Sequence, residues 1–479
     1  MAKLPMTDVV VLLPGILGSV LERDGKEVWA PTPGAAMRAL RSLGRNVKHL
    51  ELTDDPWEKD DLGDGVVATR LMPDVHFIPG VWGIDGYSSI SRMITDRFDV
   101  VAGTTYVEFP YDWRRDNRQA ALRLQRVAAA KLHTVRRDNP DAKLILIGHS
   151  MGGLVARYFL ECLDGWNDTR MLITFGTPHR GSLNALDFIA NGFAKKLGPL
   201  TLLDLTRLLR SLTSVYQLLP IYPCVDLGSG KVRIAESSPG VIPGLDLERA
   251  RDALYEFHRA IESGVEAHDR GAYDIHSVVG ITQGTKQSAG LANGGLILES
   301  LFDGEDMGGD GTVPRVSATP IETDDWQPAY QPMFSADRHA SLQNADAVQT
   351  QLFGILTNRP PVGFRAVRGS RLEMDEIFAA AEPVTATVLP DVANVDLVAR
   401  IDDLRTAVRS GPVPLRRDSD DVHHLQLGEL APGDYRVTIE GAGTSADLVD
   451  PVHGLLSVVA DGGDDLHGVP ETDLGNARA

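Results

Sequence analysis

Ser150 stands in Gly148-His149-Ser150-Met151-Gly152-Gly153, a G-x-S-x-G arrangement. The apolar run Leu-Ile-Leu-Ile-Gly precedes it and the helix-like stretch Leu-Val-Ala-Arg-Tyr-Phe-Leu follows it. That context predicts a tight strand-to-helix turn, with small residues two before and two after the serine to avoid clashes. The turn lifts the hydroxyl above a sheet, at a helix N-terminus whose dipole favours developing negative charge. A serine hydroxyl is a weak nucleophile at neutral pH, so it needs a base, and the base needs an acid to orient it. The chemistry this spacing suits is acyl transfer through a covalent acyl-serine.

On a strand–elbow–helix scaffold the partners follow in the order Ser, acid, His. Asp310, in Gly308-Gly309-Asp310-Gly311-Thr312-Val313-Pro314, is the candidate acid, and its glycines let the backbone come close to an imidazole. His339, in Asp337-Arg338-His339-Ala340-Ser341, is the candidate base. Asp303, Glu305 and Asp306 are rivals for the acid, but their spacing matches no EF-hand and suits a solvated acidic loop, so no metal site is expected. His179 and His276 lie upstream of Asp310, which the chain order disfavours. A tetrahedral intermediate needs two N–H donors. Met151 supplies one candidate. Ile16, with Leu17 as its neighbouring alternative, supplies the other from Leu13-Pro14-Gly15-Ile16-Leu17-Gly18-Ser19.

The elements around these residues alternate. Val9 to Leu13 is a continuous apolar run ended by Pro14-Gly15, as a strand buried on both faces reads. Residues 24–63 are charged and Pro-rich and predict loops and short helices. Asp85-Gly86-Tyr87 opens a helical stretch to about Arg97, and Thr105–Phe109 reads as a short strand. Leu124, Val127, Ala128, Leu132 and Val135 recur at helical spacing within 117–137. Buried strands are predicted at Lys143–Ile147, Met171–Phe175 and Ser277–Ile281. This alternation implies a mainly parallel sheet flanked by helices, the α/β-hydrolase fold.

Within 185–260 the connection is long for an ordinary α/β unit. Leu205, Leu208, Leu209 and Leu212 follow i, i+3, i+4, i+7 and predict an amphipathic helix, read either as packing on the sheet or as a lid over an apolar pocket. Leu17, Leu205, Leu208 and Leu209 are the candidate substrate contacts. Beyond the break at Asn358-Arg359-Pro360-Pro361 the pattern turns to period two, as in Val384, Ala386, Val388 and in Tyr435, Val437, Ile439. The expected organisation is a catalytic domain over 1–358, a linker at 359–368, a β-sandwich-like domain over 369–460 and a disordered tail over 461–479.

Composition sets the setting. A formal net charge of −19 with no clustered Lys/Arg run argues against nucleic acid as a partner. It also disfavours steady attachment to anionic lipid while leaving transient membrane contact open. The two cysteines, Cys162 and Cys224, show no spacing that demands a disulfide. The N-terminal apolar run is too short for a membrane span and lacks a small-residue cleavage site, so a soluble cytoplasmic protein without cofactors is expected.

Several segments together resemble the lecithin:cholesterol acyltransferase family: LLPGILGS at 12–19, WGIDGYSS at 82–89, PYDWR at 110–114, GHSMGGLVARYFL at 148–160, TFGTPHRGS at 174–182, SVYQLLP at 214–220 and GDGTVP at 309–314. The resemblance implies a covalent acyl-serine mechanism on a lipid-like acyl ester, with an alcohol as a second possible acceptor. It maps nucleophile, acid and base onto Ser150, Asp310 and His339. Unlike the family's secreted, disulfide-bonded members, this chain shows no paired-looking cysteines, and its C-terminal β-region lies outside the family's core. Asp112 and Arg114 of PYDWR read as a structural ion pair beside the pocket, with substrate contact as the alternative. The contrasting expectation is a non-catalytic lipid- or protein-binding relative that uses its β-region for attachment.

Overall fold

The computed structural model describes residues 3–30, 49–73, 76–78, 82–84, 86–197, 200–268, 272–292, 295–320, 332–357, 368–446 and 448–459. The expected linker apart from residue 368, and the expected tail, lie outside these residues.

Six strands form the central sheet: β1 (Val9–Leu13), β2 (Tyr106–Glu108), β3 (Leu144–His149), β4 (Thr169–Phe175), β5 (Asp274–Gly280) and β6 (Met333–Ser335). Their order is β6-β5-β4-β3-β1-β2, and every pairing is parallel. Parallel strands need crossover connections, which place helices on the sheet faces. All five residues of β1 are buried, as are all six of β3. Helix α1 spans Ser88–Arg97, α2 spans Asn117–Val135 and α3 spans Met151–Cys162. The Asp116 carboxylate caps α2 by accepting the Arg118 N–H. Its stripe of Leu124, Ala128 and Leu132 faces the core. Nearly every residue of α3 is buried, because α2, the sheet and the helix Arg259–Glu266 enclose it.

Two segments depart from the sequence expectation. In the 24–63 stretch Lys26–Trp29 is a strand, paired with Ser19–Arg23, which in turn pairs with Val66–Leu71. The turn is Asp24-Gly25, both at positive φ, a hairpin signal hidden by the surrounding charge. The hairpin buries Trp29 edge-on against Trp113, with ring centroids 5.1 Å apart. In the 185–260 insertion the leucine stripe is not one helix. Thr206–Ser211 and Thr213–Tyr216 are short helices, with Leu205 and Leu212 flanking the first. All four leucines are buried because the insertion folds onto the main core, which makes any turn of chain there look amphipathic.

Among the described residues from 368 to 459 the regular elements are strands, with one short 3-10 turn at Gly443–Ser445. A four-stranded and a five-stranded sheet contribute to one hydrophobic cluster that includes Val388, Leu397, Val437, Ile439 and Leu456, separate from the main core. Buried Gln283, which follows β5, ties this region to the loops above the central sheet. Its Nε2 donates to the carbonyls of Ala336 at 2.7 Å and Ser370 at 3.1 Å, while its Oε1 accepts the Leu372 N–H at 3.3 Å.

Candidate active site

Ser150 follows β3 directly and caps α3, with φ 52° and ψ −124°. A non-glycine residue at positive φ costs of order 1–3 kcal/mol and persists only where its surroundings over-determine it. Here β3 pairs with β1 on one side and β4 on the other, and the Ser150 N–H donates to the Phe175 carbonyl at 2.8 Å.

His339 Nε2 lies 2.9 Å from Ser150 Oγ, and His339 Nδ1 lies 2.7 Å from Asp310 Oδ2. The other Asp310 oxygen accepts the N–H groups of Thr312 at 2.9 Å and Val313 at 2.7 Å. A carboxylate so surrounded by donors can only accept from His339, so Nδ1 carries the proton and Nε2 is free to accept from the serine hydroxyl. The His339 N–H also donates to the Asp310 carbonyl at 2.8 Å, which clamps the base to the acid through the backbone. Asp310, Ser150 and His339 are all buried. The structure thus brings these three side chains together from positions 150, 310 and 339. His276 sits on β5, and His179 is buried with its pKa pushed well below the usual histidine range by burial. Neither bonds Ser150.

The Pro14–Ser19 loop crosses beside the nucleophile, so close that a Cβ on Gly15 would lie 2.9 Å from the Ser150 Cβ. It turns through Leu17 at φ 62°, closed by a bond from the Gly18 N–H to the Gly15 carbonyl at 3.0 Å. Side chains hold three of its carbonyls. Tyr111 Oη donates to Pro14 O at 2.8 Å, Trp29 Nε1 to Leu17 O at 3.1 Å and Trp113 Nε1 to Ser19 O at 3.1 Å. The N–H groups of Ile16, Leu17 and Met151 have no hydrogen-bond partner among the described residues. Two of the bracing residues belong to PYDWR, whose buried Arg114 pairs with the half-buried Asp112 at 2.6 Å and with Asp64 at 2.9 Å. Sequence reasoning singled out PYDWR as a motif but not its aromatic rings as the props of this loop.

Beside Ser150 opens an apolar cavity of about 490 Å³, counted with its open mouth. Ile16, Leu17, Ala185, Phe188, Leu209, Val215, Leu218 and Val313 supply its apolar wall. Of the expected substrate contacts, Leu17 and Leu209 line it. Leu205 and Leu208, although buried in the same core cluster, do not. Among the described residues no group of three or more His, Cys, Asp or Glu is placed to hold a metal ion, and no helix is long and apolar enough to cross a membrane. Cys162 and Cys224 are free thiols, and burial pushes both up to about 12.

Residues 95–238 match the model of the lecithin:cholesterol acyltransferase family. An uncharacterized protein of Saccharomyces cerevisiae, YJR098C, is 30% identical over 173 residues, which is 35% of this chain and 23% of the yeast protein. Lecithin-cholesterol acyltransferase-like 4 of Arabidopsis thaliana is 26% identical over 247 residues, 45% of this chain and 43% of the plant protein. The chain thus spans less than half the length of both curated relatives. Among solved structures, one from the Tle4–Tli4 complex is 16% identical, with a TM-score of 0.46 over 74% of this chain and 98% of that one. The mature form of Bacillus licheniformis lipase BlEst2 is 13% identical, with a TM-score of 0.34 over 73% and 91%.

Proposed function

We propose, for an α/β-hydrolase whose residues 95–238 belong to the lecithin:cholesterol acyltransferase family, that the chain cleaves or transfers the acyl group of a lipid-like ester through an acyl-serine intermediate. The observation that carries this reading is the run of contacts from Ser150 Oγ to His339 Nε2 and from His339 Nδ1 to Asp310, at the wall of an apolar cavity.

In this mechanism Ser150 Oγ attacks the acyl carbonyl carbon while its proton passes to His339 Nε2. Asp310 holds Nδ1–H and stabilises the imidazolium that forms. The carbonyl oxygen becomes an oxyanion, received by the N–H of Met151 and that of Ile16 or Leu17. One such donor is worth ~10²–10³ in turnover. As the tetrahedral centre collapses, the ester C–O bond breaks and His339 returns its proton to the departing alcohol. Water, or a second alcohol, then gives a proton to His339 and attacks the acyl-serine carbonyl; the acyl–Oγ bond breaks, His339 returns the proton to Ser150 Oγ, and acid or a new ester leaves. The cavity wall of Leu17, Phe188, Leu209 and Leu218 suits an acyl chain, at ~0.8 kcal/mol for each methylene buried. The division into a catalytic domain over 1–358 and a β-sandwich-like domain over 369–460 belongs to the same proposal. So does a cytoplasmic setting, which the two unpaired thiols favour.

A fluorophosphonate probe tests the nucleophile. The native chain should form an adduct on Ser150, and Ser150→Ala should lose both the adduct and all but a few per cent of ester turnover while unfolding at nearly the same temperature. A native chain that takes no label is a binding protein on a hydrolase scaffold. Product analysis of a labelled ester, with and without a fatty alcohol, separates hydrolysis from transfer.

A further inference from the structure

A buried hydrogen-bond chain runs beneath the site and takes no part in the chemistry just described. The Gly15 N–H donates to Tyr87 Oη at 2.8 Å. Tyr87 Oη and His149 Nδ1 are 2.9 Å apart, and His149 Nε2 is 3.1 Å from the carbonyl oxygen of His339. Tyr87 and His149 are buried, and neither lines the cavity.

For a neutral His149 ring only one arrangement of protons satisfies all three contacts. A backbone N–H can only donate and a carbonyl can only accept. His149 Nε2 must therefore carry the proton given to His339, which leaves Nδ1 of the neutral ring as an acceptor. Tyr87 accepts from Gly15 and donates to His149. Burial, helped by the neighbouring His339, pushes the His149 pKa down to about 3, so the ring stays neutral across the working range. Each end of the chain reaches a part of the candidate machinery. Gly15 belongs to the loop that presents the Ile16 and Leu17 N–H groups. His339 is the candidate base, whose backbone N–H is already held by Asp310. His149 is covalently joined to Ser150. Oxyanion loop, nucleophile and base are thus bound to one another through two side chains, contributed by positions 87 and 149.

We infer that Tyr87 and His149 are positioning residues that fix the oxyanion loop and the backbone of His339 relative to Ser150. This rests on the acyl-transfer reading above. Without the chain, the loop and the base keep their own side-chain contacts but lose their common register. A misplacement near 1 Å costs ~10²-fold in rate. The loss belongs chiefly in kcat and in the rate of serine acylation, because neither Tyr87 nor His149 lines the cavity and only Ile16 and Leu17 of its apolar wall ride on the loop.

The test is turnover of a soluble p-nitrophenyl ester, and the rate of fluorophosphonate labelling, by full-length Tyr87→Phe, His149→Leu and His149→Gln. Glutamine can set an N–H where the ring Nε2–H was, whereas leucine cannot. His149→Leu should lose ~30–100-fold in kcat with KM within threefold. His149→Gln should recover about tenfold of that loss at a similar unfolding temperature. Tyr87→Phe, which deletes one oxygen and leaves the ring, should lose ~10-fold even if the His149 variants fold poorly. The inference is overturned by an active wild type whose Tyr87→Phe keeps full kcat, by losses that appear in KM alone, or by His149→Gln no faster than His149→Leu at equal stability. A wild-type chain that neither labels at Ser150 nor turns over ester overturns the acyl-transfer reading, and this role with it.

Discussion

Gly176, directly after β4, offers a sharp probe of the Asp310–His339 contact. Its φ is 53°, and a Cβ built there would lie 2.7 Å from Asp310 Oδ2, 2.9 Å from His339 Nδ1 and 2.9 Å from Leu342 Cδ1. Real Cβ atoms essentially never approach within 3.0 Å, and contacts at 3.0–3.4 Å are already tight. Gly176→Ala must therefore drive the acid about 0.3–0.7 Å and the base about 0.1–0.5 Å from their present positions. With ~10²-fold lost for a displacement near 1 Å, a fall of roughly 4–25-fold in kcat is expected. The left-handed backbone adds a separate stability cost of ~1–2 kcal/mol. Gly103→Ala separates the two effects: Gly103 has φ 75° and nothing within 4 Å of its would-be Cβ, so that variant should lose stability and keep its rate. Ester turnover and urea unfolding of both variants are the measurements. If Gly176→Ala stays within threefold of wild-type kcat while Gly103→Ala shows the expected stability loss, the Asp310–His339 contact is not what sets the rate.

Three further outcomes follow from particular contacts. The Asp337 carboxyl accepts Ser335 Oγ–H at 2.8 Å through one oxygen, has no partner on the other among the described residues, and is raised by burial to about 7. A raised folded pKa means stability that is present below the unfolded value near 4 and is lost as pH climbs through 7. Asp337→Asn should gain on wild type by at most ~4 kcal/mol at pH 8 and by almost nothing at pH 3.5; an equal gap at both pH values refutes the assignment. Gln283→Leu strips partners from Ala336, Ser370 and Leu372 and should cost ~2–4 kcal/mol in urea unfolding. A cost below ~0.5 kcal/mol would mean the β-region is not keyed to the loops by this amide. Leu209→Ala should shift the best p-nitrophenyl ester toward longer chains, at up to ~4-fold per methylene, and Leu208→Ala should not, since only Leu209 lines the cavity. The reverse pattern would move the acyl site elsewhere.

The amino-acid sequence by itself determined what near neighbours decide. The strand, sharp turn and helix around Ser150 are written in consecutive residues, because a buried strand needs an unbroken apolar run and the elbow needs small side chains within two positions. The observed β1, β3, β4 and β5 lie within three residues of their expected ends, and the period-two runs beyond residue 368 are strands. The order of Ser150, Asp310 and His339 was also legible, since the fold's chain order constrains it. Only the tertiary structure decided which side chains meet. The Tyr87–His149–His339 chain joins positions 62 and 190 residues apart, and Gln283 reaches 89 residues to Leu372. A buried tyrosine or glutamine leaves no periodic trace in sequence, because its partner is set by how separate elements cross. The leucines at 205 and 208 failed as cavity contacts for the same reason. Periodicity says that a side chain is buried, while the packing of the whole insertion decides against what.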